Sequence, residues 1–170
     1  PVSPRSLPFL LLPLLFLGAG AGRHVTRAPG RVPARVLPGI SVLLRDSLEL
    51  LRGKRVGLVT NQTGINEKGE SDIDLLYAAL PLHGARLTTL FSPEHGIRGT
   101  EDRENIEGGR DERTGLPIYS LYTTQAVAPP DSVLKTLDAI VLDLVDIGTR
   151  TGTYPCATLY VMRAGTRRGI

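Results

Sequence analysis

Glu94 and His95 stand together in the run Ser92-Pro93-Glu94-His95-Gly96. Glutamate and histidine are side chains well suited to moving protons near neutral pH. The run follows an apolar, β-prone stretch, Leu87 to Phe91, and precedes a long polar segment. A carboxyl and an imidazole are thus set where a buried strand opens into a loop, and open α/β sheets bind ligands at such carboxyl ends. Glu94 is the candidate general acid or base, and Phe91 and Pro93 give it the apolar surroundings that a general acid needs. His95 is its candidate partner, holding Glu94 or a substrate hydroxyl; the plainer reading is a structural turn residue.

The elements that must position these residues follow from the spacing of apolar side chains. Ile40, Leu43, Leu44, Leu48 and Leu51 fall at helical spacing, and Gly53 stops that run. Arg55 to Thr60 suits a buried strand and ends in the turn-rich Asn61-Gln62-Thr63-Gly64. Ser71 with Asp74 resembles a capping box for a helix carrying Ile73, Leu76, Ala79 and Leu80. Leu87 to Phe91 is the next strand, and residues 97–115 are charged, glycine-rich and aperiodic, as in a long loop. Leu116 to Tyr119 leads into Ser120-Leu121-Tyr122. Val133, Leu134 and Leu137 form one apolar helical face after Pro129-Pro130-Asp131. Ala139 to Leu144 is the most strand-like run and ends at Asp146-Ile147-Gly148; a last helix is expected from Cys156 or Ala157.

Strands alternating with helices predict an α/β fold, a parallel sheet flanked by helices. Asn61, Glu94, Tyr122 and Asp146 each follow a predicted strand, and parallel strands point their ends the same way. Four loops then gather polar side chains on one edge. Tyr154 either stacks on a sugar face or packs in the core. Arg150 either binds a substrate carboxylate bidentately or neutralises Asp146. Asp143 lies inside a predicted strand, where a carboxylate is costly unless hydrogen-bonded.

Several function classes are excluded. The formal charge is +3, but Arg5, Arg23, Arg27, Arg31 and Arg35 precede the domain, leaving 15 Lys+Arg against 17 Asp+Glu from Leu37 onward. A nucleic-acid partner needs a basic excess on the domain itself. The single Cys156 rules out an internal disulfide, and no His pair has metal-ligand spacing. No Gly-x-Gly-x-x-Gly or Gly-Lys-Ser/Thr exists to cradle a nucleotide, and no Gly-x-Ser-x-Gly elbow surrounds Ser92. No cofactor or metal is expected. What remains is carboxylate-driven hydrolysis of a polar, sugar-like substrate.

Residues 1–22 combine Arg5, an apolar run from Leu7 to Leu17 and the small-residue exit Gly18 to Gly22, as in a secretory signal peptide. That run is too short for a stable membrane span, so an exported protein is expected. Residues 23–36, with Pro29, Gly30, Pro33 and four arginines, read as a linker, and residues 37–170 as the domain.

Five segments in order carry a family likeness: Leu37-Pro38-Gly39-Ile40; Val56 to Gly64; Phe91 to Gly99; Gly115 to Tyr122; and Asp143 with Asp146-Ile147-Gly148 and Arg150. Together they resemble the bacterial exo-β-N-acetylmuramidases, the YbbC-like or NamZ-like proteins. The resemblance implies a Rossmann-like N-terminal domain, an auxiliary second domain missing from this chain, and a cleft between them. It also implies removal of N-acetylmuramic acid (MurNAc) from the non-reducing end of peptidoglycan fragments, with muropeptides as partners. Glu94 matches the family's glutamate in Ser-Pro-Glu-His-Gly. Arg98 or Arg150 would meet the lactyl carboxylate. Four positions depart from the family pattern: Val145 stands for a Gln, Thr151-Gly152 for two aromatics, and Arg163 for a glutamate after Met162. The alternative that Arg163 favours is an inactive domain that binds peptidoglycan sugars.

Overall fold

A computed structural model describes residues 36–94, 96–98, 109–122 and 128–170, which fall in the compact unit Arg35–Ile170. The expected signal peptide, the linker up to residue 35, and His95 lie outside the described residues.

Strands β1 (Arg55–Thr60) and β2 (Arg86–Ser92) are buried almost throughout because both faces are covered. With β3 (Gly109–Arg110), β4 (Pro117–Ser120) and β5 (Ala139–Asp143) they form one sheet in the order β3-β4-β2-β1-β5. Pairings β4-β2, β2-β1 and β1-β5 are parallel; only β3 runs antiparallel, against β4. The helices are α1 (Gly39–Val42), α2 (Asp72–Ala79), α3 (Asp131–Leu134) and α4 (Tyr154–Thr166).

The two sheet faces carry separate cores, as the period-two alternation of strands requires. Leu58 and Leu90 pack with Ile40, Ile73, Leu76 and Leu80. Val59 and Phe91, each one position on, pack with Leu121, Val133, Leu137 and Val161 on the other face. The result is an α/β Rossmann-like layer with helices on both sides, as expected.

Three expectations need correction. The helix over Ile40 to Leu51 is broken: α1 gives way to a π turn, Leu43–Ser47, and a 3₁₀ turn, Leu48–Leu51. A 3₁₀ turn eclipses residues three apart, which buries Leu48 and Leu51 together. The aperiodic segment holds β3, which is made by its pairing with β4 and not by propensity. The capping box is half formed. Ser71 accepts from the Ile73 N–H at 3.3 Å, but the Asp74 carboxylate turns to Arg98 (3.2 Å) and Arg113 (2.5 Å). Charge-assisted bonds to guanidinium are stronger than one to a neutral amide.

Gly64, in the β1–α2 connection, closes the loop tightly. A methyl there would come within 2.3 Å of Thr60 Oγ1 and 2.4 Å of Asp72 Oδ2. Gly64→Ala is therefore expected to cost about 1–3 kcal/mol of stability through overpacking. A urea titration should show a lower midpoint with unchanged slope.

Candidate active site

Parallel register aligns the strand ends on one rim. Thr60 pairs with Asp143, Val59 with Phe91, and Ser92 with Ser120. From β1 the chain moves outward through β2 to β4, then returns to β5 on the other side of β1. That reversal makes the ends of β1 and β5 the topological switch point of the sheet, the position where such sheets take ligands. The loops there meet: the Val145 N–H donates to Thr63 Oγ1 at 3.4 Å.

Asn61 occupies the β1 side of the switch point and is 2 % exposed. Its Oδ1 accepts from the Thr63 N–H (2.9 Å) and hydroxyl (2.6 Å), an Asx turn that locks the side chain. Its Nδ2 is buried and donates to nothing among the described residues. Buried amide donors are almost always paired, which sets this one apart.

Glu94 lies two residues past the end of β2 and is half-buried. Ser92, fully buried, gives its hydroxyl to the Pro93 carbonyl at 2.9 Å and stiffens the exit from the strand. Glu94 Oε2 accepts from Thr153 Oγ1 at 2.9 Å. Thr153 is the residue before α4, the usual capping position, yet its hydroxyl caps nothing and serves Glu94 instead. Sequence reasoning missed Thr153; its signal was a threonine just ahead of a helix bearing Pro155 in its first turn. Tyr154 follows at once, half-buried at the start of α4.

The β4 exit joins the same rim, since the Leu121 N–H donates to the Ser92 carbonyl at 2.8 Å. Tyr122 comes next, exposed, with its N–H on Ser120 Oγ. Asp146 is exposed three residues beyond β5 and accepts the Gly148 N–H at 2.6 Å, making a turn. Arg150 is exposed and has no ion pair with Asp146 or any other described residue.

Arg98 is engaged elsewhere. Its guanidinium grips Asp111 through two bonds (2.6 and 2.9 Å) and reaches Asp74 at 3.2 Å. The Asp111 side chain is 1 % exposed and needs that counter-charge. Burial alone would raise its pKa, but the bonds from Arg98 and Thr114 outweigh burial and bring it down to about 2. Of the two arginines expected to meet a substrate carboxylate, only Arg150 has its guanidinium unclaimed.

A hollow of about 860 Å³ lies away from this rim, along the outer side of α2, lined by Leu44, Leu48, Leu75, Leu82 and Arg113 among others. Its walls mix leucines with Glu70, Asp74, His83 and Arg113 and carry none of the rim's groups. No group of three or more His, Cys, Asp or Glu able to hold a metal occurs among the described residues.

Known proteins share this fold. Residues 56–170 match the family profile described as exo-β-N-acetylmuramidase NamZ, N-terminal. The peptidoglycan β-N-acetylmuramidase NamZ of Bacillus subtilis (strain 168) is 41 % identical over 137 residues, which are 80 % of this chain and 32 % of that protein. The chain thus spans about a third of the length of that curated relative. Two crystal structures of DUF1343 family proteins from Bacteroides fragilis NCTC 9343 superpose with TM-scores of 0.69 and 0.63, at 38 % and 26 % identity. Each match covers 80 % of this chain and 33 % of the other. The chain belongs to the NamZ exo-β-N-acetylmuramidase family and carries the family's N-terminal domain.

Proposed function

We propose that this domain serves an exported exo-β-N-acetylmuramidase, which releases MurNAc from the non-reducing end of peptidoglycan fragments. The observation that carries the reading is the Thr153–Glu94 bond at the rim. It fixes one carboxyl oxygen and leaves Oε1 to face the glycosidic oxygen. Glu94 acts there as general acid/base, protonating the leaving oxygen as the bond breaks. His95, its neighbour in sequence, completes the proton-handling pair.

The remaining rim residues match the substrate's polar groups. The unpartnered Asn61 amide suits the acetamido carbonyl of MurNAc. Arg150 suits the lactyl carboxylate, by the fork geometry of guanidinium. Tyr122 and Tyr154 offer ring faces to the sugar, and Asp146 accepts from a hydroxyl. Arg163, which favoured an inactive sugar-binding domain, lies ten residues along α4 from Thr153. At helical rise that is about 15 Å of axis, so its charge is not set against Glu94.

Incubation with a MurNAc-terminated disaccharide tests the reading directly. Free MurNAc should appear; saccharide binding without any release would favour the inactive domain instead. Arg150→Gln is expected to raise KM for that substrate about tenfold while kcat changes little, since it removes one charge-assisted contact of about 1.5 kcal/mol. A neutral analogue lacking the carboxylate should show no difference between the two proteins.

A further inference from the structure

Asp72 has no exposed surface, and its environment differs from that of buried Asp111. Its Oδ1 accepts from the Ile73 N–H at 2.7 Å and from the Ser71 hydroxyl at 3.4 Å, but Oδ2 has no hydrogen bond among the described residues. The Thr60 hydroxyl lies alongside yet is turned to the Asn61 carbonyl at 3.2 Å. Among the described residues no basic side chain faces Asp72. β1 offers Thr60, the connecting loop Gly64 and Ser71, and α1 only Gly39, Ile40 and Leu43. Asp74, two residues on, is taken up by Arg98 and Arg113. Among the described residues its one charged neighbour is Asp143 at the end of β5, a half-buried carboxylate with no hydrogen bond of its own there. Both acids line a cavity of about 180 Å³ whose other walls are mostly apolar, including Leu58, Leu76 and Val141.

Asp72 is fully buried and Asp143 half-buried, and two carboxylates lining one small cavity with no cation beside them among the described residues disfavour each other's ionised form. We propose that Asp72 and Asp143 share a single proton and act as a positioning pair, holding the loop after β1 in the shape that presents Asn61 to substrate. The last part rests on the muramidase reading above; the shared proton does not. The connection to Asn61 is short. The Asp72 N–H donates to the Gly64 carbonyl at 2.9 Å, and the Gly64 N–H to the Asn61 carbonyl at 3.0 Å. Asp143 pairs in register with Thr60, whose hydroxyl holds that same Asn61 carbonyl. Either carboxyl therefore adjoins a residue that shapes the Asn61 turn.

Burial is the largest influence on Asp72; the Thr60 hydroxyl beside it pulls the value back, the Asp143 carboxylate pushes it up again, and the bonds from Ile73 and Ser71 lower it less, leaving it at about 7, while burial also raises Asp143. The proton belongs to the pair rather than to one residue. Since the folded value lies above the unfolded one, the stabilisation is fully present below the ordinary carboxylate range. It is lost as pH rises through about 7.

The 170-residue chain tests this by NMR and melting between about pH 5 and 9. The Asp72 carboxyl carbon and the Asn61 side-chain amide should titrate together with a midpoint near 7, and Tm should fall over the same range. Asp72→Asn should abolish the common titration and flatten the Tm profile. Asp143→Asn should move the midpoint to lower pH, and it carries the test if the first variant does not fold. An Asp72 midpoint below about 5, an Asn61 amide that ignores it, or an unchanged Tm profile in both variants overturns the pair. Disaccharide affinity should be about tenfold tighter at pH 6 than at pH 9, the effect of about one unit of linkage. A common titration with no saccharide affinity supports the pair and removes the muramidase reading. Affinity that is constant across the range overturns the positioning role.

Discussion

Glu94→Gln is expected to abolish MurNAc release, lowering kcat about 10³–10⁴-fold while KM stays within about threefold. The amide keeps the size of the side chain and can still accept from the Thr153 hydroxyl, so the local structure should survive. What it loses is the exchangeable proton that the leaving glycosidic oxygen requires. Thr153→Val offers a graded control: it removes the bond to Oε2 without touching the carboxyl, so activity should fall much less. An undiminished rate in Glu94→Gln would remove the central assignment of the rim. Equal losses in both variants would place the effect in the loop's shape and not in proton transfer.

Arg98→Met is expected to cost about 3–5 kcal/mol of stability, because it strands a buried carboxylate without its counter-charge. Asp111, 1 % exposed at its side chain, also takes the Thr114 N–H and hydroxyl, at 2.9 and 2.7 Å. Those bonds hold the turn that leads into β4 and Tyr122, so losing Arg98 should loosen that side of the rim. Chemical denaturation would show the loss, and Arg98→Lys should recover only part of it, since an ammonium cannot make the fork. The double change Arg98→Met with Asp111→Asn should cost less than Arg98→Met alone. A strict sum of the two single effects would show that the pair is not coupled. The contrast with Arg150 is direct: one arginine holds the fold, and the other has no ion pair among the described residues.

The strands that form the rim were legible because β1, β2 and β5 are short apolar runs bounded by turn residues. The Ser-Pro-Glu-His-Gly segment was legible because acid and imidazole sit together at the end of one of them. Less was visible where partners are distant. Nothing near β3 reads as strand, since Gly109 and Arg110 pair only when β4 is beside them. Asp74 looked like half of a capping box because spacing shows a reachable amide and not two competing guanidiniums. Arg98 looked available for substrate because Asp111 lies thirteen residues away across an aperiodic stretch.

Composition and periodicity alone determined the class of this domain, its lack of a nucleotide cradle, and the loops where chemistry would gather. Backbone hydrogen bonding and side-chain burial repeat with fixed local periods, so a linear chain records them. Tertiary structure decided which oxygen of Glu94 is held, which arginine stays unclaimed, and that two aspartates face one cavity without a cation. Those outcomes depend on side chains brought together from residues 59, 13 and 71 positions apart, and electrostatics between them acts through space, not along the chain.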